Sequence, residues 1–200
     1  MTQATAADTR EIIISAAFAC FRTRGLAKTT IVDIARQADV SRSTVYEYFK
    51  DKETVVEACA EAASQRFYRN MAKAIDRHGG STLEGRLTRA AVFVTQARQV
   101  VEPEVYFDSA EVNLMMTKNA ASLLQECAEF LAPYVAAARI TGEVRNDLDV
   151  QSATEWFARM LFSLFTTPSP YFDARDDDAV AEFVRDFVVR GFLDDRARRR

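Results

Sequence analysis

The sequence predicts an all-α protein: an N-terminal three-helix head containing a helix-turn-helix, followed by a larger helical body. Three observations carry this. Of 200 residues only 6 are Gly and 4 are Pro, while 48 % are apolar; that composition suits long helices around an ample core rather than a turn-rich sheet. Apolar residues recur three and four apart through most of the chain, which is the period of a helix face. The stretch Thr29 to Lys52, TTIVDIARQADVSRSTVYEYFKDK, divides about one tight turn into two short helices, each with a capping residue in front of it.

Asp8 or Thr9 can cap a first helix running to about Arg24, with Ile13, Ile14, Ala17, Phe18 and Phe21 on its inner side and Gly25 as its stop. Thr29 or Thr30 caps the second, whose inner face is Ile31, Ile34, Ala35 and Ala38. Ala38-Asp39-Val40 is the turn, and Asp is one of the few non-glycine residues that tolerates a left-handed backbone. Ser41 caps a third helix, Arg42 to about Phe49, with Val45 and either Tyr48 or Phe49 inward. Arg42, Ser43, Thr44 and Tyr46 are left outward near its start. An exposed helix start bearing such groups is what a helix-turn-helix places in a DNA major groove. There an Arg can bond a guanine edge bidentately. Thr29, Thr30, Tyr48, Lys50 and Lys52 are candidates for phosphate contact, with Tyr48 equally suited to the core.

The pattern TT-x-x-x-IA-x-x-A-x-VS-x-x-x-x-Y-x-YF-x-x-KE is carried by Thr29, Thr30, Ile34, Ala35, Ala38, Val40, Ser41, Tyr46, Tyr48, Phe49, Lys52 and Glu53. It resembles the DNA-binding domain of TetR-family transcriptional regulators. Ile13, Ile14, Ala16, Ala17, Phe21 and Gly25 resemble that family's first helix and its glycine stop. Asp39 stands where the family usually carries Gly, and Ser43 where Gly or Ala is common. The resemblance covers roughly the first quarter of the chain. It implies a homodimer that binds a palindromic double-stranded operator, and a body that binds a small-molecule effector and dimerises.

Asp51 caps a long helix to about Arg77, uninterrupted by Gly or Pro, and His78-Gly79-Gly80 stops it. The expected division is therefore a DNA-binding domain at 9–52 and an effector-binding and dimerisation domain at 53–200. Thr82 can cap a helix to about Val101, and Pro103 suits the first turn of a short helix. A longer run reaches about Ala138, broken or bent near Pro133. Thr141 to Asp149 is a loop that resembles a recurrent body motif of the family. The penultimate helix spans about Val150 to Thr166, and the last about Asp177 to Leu193.

The formal charge is -3, yet its distribution is uneven. Between Thr9 and Lys52, eight Lys and Arg meet five Asp and Glu, whereas the rest of the chain is acidic. A basic head on an acidic body is the asymmetry expected when one end meets phosphate. In the body, Phe67, Phe93, Tyr106, Phe107, Met115, Met116, Phe130, Trp156 and Met160 are candidates to line an effector pocket, or equally to fill an ordinary core. Phe157, Leu161, Leu164, Phe165, Phe183, Phe187 and Val188 give the last two helices a wide apolar face. It serves either one subunit's core or, as the resemblance implies, a four-helix dimer interface.

No nucleophile-base pair, phosphate-cradling glycine loop or metal triad is present, so neither catalysis, a cofactor nor a metal site is expected. The acids Asp173, Asp176, Asp177 and Asp178 are better explained by a helix start than by a cation. Cys20, Cys59 and Cys127 are scattered and read as buried free thiols. No apolar run reaches membrane length and the first residues do not form a leader, so a cytoplasmic protein is expected. The readings that compete with a repressor are a DNA-associated structural factor acting through a protein partner and an enzyme using the body cavity.

Overall fold

Side-chain caps set where most helices begin in the computed structural model, which describes residues 6–101, 118–167 and 169–193. The helices are α1 (Ala6–Arg24), α2 (Ile31–Gln37), α3 (Arg42–Tyr48), α4 (Lys52–His78) and α5 (Leu83–Val101). They continue as α6 (Ala120–Ile140), α7 (Val150–Thr166) and α8 (Asp177–Phe183). Among the described residues the only strand-like pairing is an isolated antiparallel bridge between Val144 and Leu193. The all-α expectation holds. None of the described helices is long and apolar enough to cross a membrane.

The chain forms two compact units that divide within α4, after Phe67. The head's core does not stop at Lys52. Ile13, Ala17 and Phe21 of α1, Ile34 and Ala35 of α2, and Val45 and Phe49 around α3 are buried in one cluster with Val55, Ala58 and Cys59 of α4. The first turns of α4 thus close the hydrophobic centre of the head.

Within the body, α6 packs chiefly on α7, while α5 packs on α7 and α8. Leu83, Leu87, Leu131, Val135, Phe157 and Leu161 are fully buried. The corner between α4 and α5 is tight: a side chain on Gly85 would collide with the Gly79 carbonyl. Of the break or bend expected near Pro133, the break does not occur: helix α6 runs unbroken through that residue. Pro133 is exposed, and the carbonyl it leaves without a partner one turn earlier can be satisfied by water. The last helix is regular only to Phe183. It continues as a π turn, Val184–Val188, and a 3₁₀ turn, Val189–Gly191. That irregular end keeps Val184, Val188 and Val189 buried while Phe187 is 76 % exposed.

The loop from Thr141 to Asp149 is a chain of tertiary anchors. Gly142 takes φ 72 after α6, and the Glu143 amide donates back to the Ala138 carbonyl at 2.9 Å, closing a Schellman turn. The Glu143 carboxylate accepts the Leu83 amide at the start of α5. The Arg145 amide donates to the Phe192 carbonyl at 3.1 Å, and its Nε to the Gly191 carbonyl at 3.3 Å. Asp149 then caps α7 by accepting the Ser152 amide at 2.8 Å. At α8, Asp176 caps by accepting the amides of Asp178 and Ala179, and Asp173 pairs with Arg175 at 3.0 Å. Those partners account for the acidic run as a helix start.

The capping carboxylates make the fold acid-sensitive. Asp33 is held below its ordinary value by the Thr30 hydroxyl and then the Thr30 amide, Asp51 by the Thr54 amide and then its hydroxyl, and Asp149 by Ser152. Each native pKa lies below the unfolded one. Their stabilisation is therefore complete above pH about 4 and is lost as pH falls through the native values. Thermal melting is expected to be level between about pH 7 and pH 5 and to drop steeply below about pH 4. Replacing all three with Asn should flatten that acid limb, and an unchanged limb would reject these caps as its cause.

Candidate nucleic-acid interface

The turn between α2 and α3 is built from local hydrogen bonds. Thr30 and Asp33 form a reciprocal capping box: the Asp33 amide donates to Thr30 Oγ1 at 3.2 Å, and the Thr30 amide donates to Asp33 Oδ2 at 3.1 Å. Arg24 of α1 pairs with Asp33 Oδ1 at 2.7 Å, tying the two helices together. After α2, Asp39 takes φ 54. Its amide donates to the Arg36 carbonyl and the Val40 amide to the Ala35 carbonyl at 3.0 Å, the two bonds of a Schellman turn. The aspartate does what glycine usually does there.

Ser41 Oγ then accepts the Thr44 amide at 3.0 Å and starts α3. Val45 and Phe49 are buried, so the opposite face of α3 is turned to solvent. Arg42, Ser43 and Lys50 are exposed, and Tyr46 is 54 % exposed. Among the described residues no hydrogen bond or ion pair engages Arg42 or Tyr46, while the Lys50 charge helps to lower the Asp51 carboxyl. Arg10 of α1 lies over the Phe49 ring, 5.5 Å from its centroid, so cation–π attraction helps hold the end of α3.

The structure divides the expected contact residues. Arg42, Ser43, Tyr46 and Lys50 form an outward set. Ser43 Oγ lies 2.6 Å from Ser41 Oγ. Thr44 is partly buried, with its hydroxyl 2.9 Å from the same atom, so it serves the cap. Thr30 is exposed but engaged in its capping box. Tyr48 is partly buried against the head core.

Two expected phosphate contacts are corrected. Thr29 is 1 % exposed, and its hydroxyl donates to the Gly25 carbonyl at 2.8 Å; it ties off the end of α1. Lys52 Nζ donates to the Leu26 carbonyl at 2.6 Å and the Ala27 carbonyl at 3.3 Å. Its charge holds the loop between α1 and α2. Lys52→Met should therefore cost about 1–3 kcal/mol of stability, the scale of removing a charge-assisted bond. A melting temperature matching the wild type, with DNA affinity alone reduced, would restore Lys52 to phosphate contact.

The body residues divide as well. Tyr106, Phe107, Met115 and Met116 lie outside the described residues. Phe67, Phe93, Phe130 and Met160 are partly buried. Phe130 sits 5.1 Å from the Tyr68 ring and 5.9 Å from the Tyr134 ring, centroid to centroid. Trp156 is 50 % exposed, on the outer face of α7, and does not belong to an interior lining. Phe157, Leu161, Leu164 and Val188 are buried inside the single chain, so they are core and not free interface. Phe165 and Phe183 are partly buried, and only Phe187 of the expected interface set is exposed.

Burial raises the Cys59 and Cys127 thiols to about 12, and Cys20 is raised by the same cause. Thiols so protonated are poor nucleophiles. No group of His, Cys, Asp and Glu able to hold a metal occurs among the described residues.

Residues 13–59 match the pattern of Bacterial regulatory proteins, tetR family. The chain is 41 % identical over 61 residues to the HTH-type transcriptional regulator TtgR of Pseudomonas putida, a match covering 30 % of this chain and 29 % of that protein. It is 26 % identical over 167 residues to the HTH-type transcriptional repressor BepR of Brucella suis, covering 82 % of this chain and 79 % of that one. SmeT, the repressor of the Stenotrophomonas maltophilia multidrug efflux pump SmeDEF, shares the fold with a TM-score of 0.58 at 23 % identity, over 96 % of this chain and 92 % of that one. The sequence match is concentrated on the segment whose geometry displays α3, and the fold likeness extends over the body. Residues 13–59 thus carry the DNA-binding pattern of the tetR family of bacterial regulatory proteins.

Proposed function

We propose that this chain is a homodimeric transcriptional repressor that leaves a palindromic operator when a small, largely apolar molecule binds its body. The observation that carries the reading is the display of α3: Val45 and Phe49 are buried while Arg42 and Tyr46 stand free on the outer face. Such a helix start can enter a major groove with its side chains at the base edges. One head has a small footprint. A second copy related by a two-fold axis doubles the contacts and matches a palindrome. The relatives support this reading, since BepR is named a repressor and SmeT has been solved with triclosan.

Two exposed rings of the body are candidates for the contact between copies. Phe187 is 76 % exposed and Trp156 50 % exposed, and a second copy is the occupant proposed for them. Helix α4 contributes to both compact units. A ligand with a few kcal/mol of preference for one of two body states shifts the operator-bound population through that helix.

Selection of binding sites from random duplex DNA tests the function. The expected winner is an inverted repeat with half-site centres about 34 Å apart, located near few promoters of the source genome. Recovery of no enriched motif would reject sequence-specific regulation. Many dispersed genomic sites would favour a structural DNA-associated factor instead.

A further inference from the structure

The outer face of α3 carries one acid, Glu47, and no contact within the chain explains it. Val45 and Phe49 fix the inner side. At about 100° per residue, position 47 lies roughly 200° beyond Val45 and roughly 200° before Phe49. That is the part of the helix turned farthest from the core. Glu47 is exposed there, and among the described residues no hydrogen bond or ion pair engages its carboxylate. Ser43, one turn earlier on the same line, is exposed as well. Arg42 and Tyr46 lie to one side of that line.

A helix that enters a major groove with this face brings the Glu47 carboxylate against the duplex. Phosphate oxygens would repel it. At the base edges its choice is narrow, because an ionised carboxylate only accepts. Guanine presents the N7 and O6 acceptors and thymine the O4 acceptor, and all of these oppose it. Adenine sets its N7 acceptor beside the N6 amine, whereas cytosine offers the N4 amine with no acceptor of its own beside it. An acid in this place therefore discriminates by repulsion at the wrong bases as much as by attraction at the right one. Arg42, by contrast, suits guanine. The two residues are about 7.5 Å apart along the helix, close to two base-pair steps of roughly 3.4 Å each.

We infer that Glu47 is a specificity-determining residue whose carboxylate accepts from the N4 amine of one cytosine in each operator half-site, about two base pairs from the guanine taken by Arg42. The inference rests on the reading that α3 enters the major groove of an operator, and it adds a base identity to that reading. Nothing covalent is involved.

The test is site selection from random duplex DNA with the full-length wild type, Glu47→Gln and Glu47→Ala. Wild type is expected to enrich a C·G pair at one position of each half-site. Glu47→Gln can bond adenine at N6 and N7 and should shift that position to A·T. Glu47→Ala should leave it without preference, and the remaining positions should stay as they are in all three proteins. On the selected duplex, replacing that cytosine should weaken wild-type binding roughly fivefold to 150-fold and leave Glu47→Ala nearly unaffected. Both variants should melt with the wild type, as expected for an exposed side chain without a partner.

The same motif from all three proteins overturns the inference and leaves the repressor reading standing. So does a uniform rise in the affinity of Glu47→Gln for every sequence with no change of motif, which would make the acid a general repellent of phosphate. A lowered melting temperature in Glu47→Gln would mark an intramolecular role and overturn it too. If the wild type enriches no motif at all, sequence-specific regulation falls first and the role of Glu47 falls with it.

Discussion

Arg42→Ala is expected to abolish protection of the selected operator while helix content, melting temperature and dimer mass stay at wild-type values. Arg42 is exposed on the outer face of α3 and has no partner among the described residues, so removing it leaves no buried group unmet and opens no cavity. Its loss to the DNA complex is large because each dimer would carry it twice. A bidentate arginine–guanine contact contributes about 1–3 kcal/mol of discrimination. Two copies give roughly 2–6 kcal/mol, or about thirty-fold to more than ten-thousand-fold in affinity. Tyr46→Ala should act in the same direction with a smaller effect, since that ring is 54 % exposed and bears one hydroxyl. Footprints unchanged in both variants would reject α3 as the reading element. A salt titration separates the roles further. Lys50→Ala should weaken binding to all sequences and shallow the salt slope by about one ion for each phosphate it no longer neutralises, whereas Arg42→Ala should chiefly relax sequence preference.

Phe157→Ala should unfold the body, whereas Phe187→Glu should give folded monomers. The two side chains belong to the same expected interface set, yet Phe157 is 1 % exposed and Phe187 76 % exposed. Truncating a fully buried phenylalanine typically costs about 3–5 kcal/mol, the transfer term plus the cavity left behind. That is a large share of the roughly 5–15 kcal/mol that holds a domain folded. Chemical denaturation of Phe157→Ala should therefore show a midpoint lowered by a third or more of the wild-type value, or no cooperative transition. Phe187→Glu loses little intramolecular packing; its ring meets Phe183 at 5.6 Å at the surface. It should keep its melting behaviour at low concentration and sediment as a monomer, because a charge in an apolar contact between copies is costly. A folded monomer from Phe157→Ala, or an intact dimer from Phe187→Glu, would return the interface to the buried face of α7.

How much of the fold is legible in the residues alone follows from the range of the interactions. The elements from Thr30 to Phe49 can be read residue by residue. The Thr30–Asp33 capping box, the left-handed Asp39 and the Ser41 cap are settled by partners within five positions, so local chemistry fixes them before anything packs. The same holds for Gly25, Gly80 and Gly142, which end helices at positive φ. Spacing also locates the head core in α1 and α2, since Ile13, Ala17, Phe21, Ile34 and Ala35 share faces on their own helices.

By itself, then, the sequence determined an all-α chain with a capped helix-turn-helix at one end, because caps, turns and the helical period act over a few residues. It left undecided which polar groups would be free. Lys52 reads as a phosphate contact until the carbonyls of Leu26 and Ala27, 26 and 25 positions away, occupy it. Glu143 has no visible role until the Leu83 amide, 60 positions away, meets it. On α7 the apolar residues outnumber one core-facing stripe, so periodicity could not say that Phe157 faces inward and Trp156 outward; packing against α5 and α6 decides it. Long-range placement, which depends on the whole chain at once, separated structural groups from those left available to a ligand or to DNA.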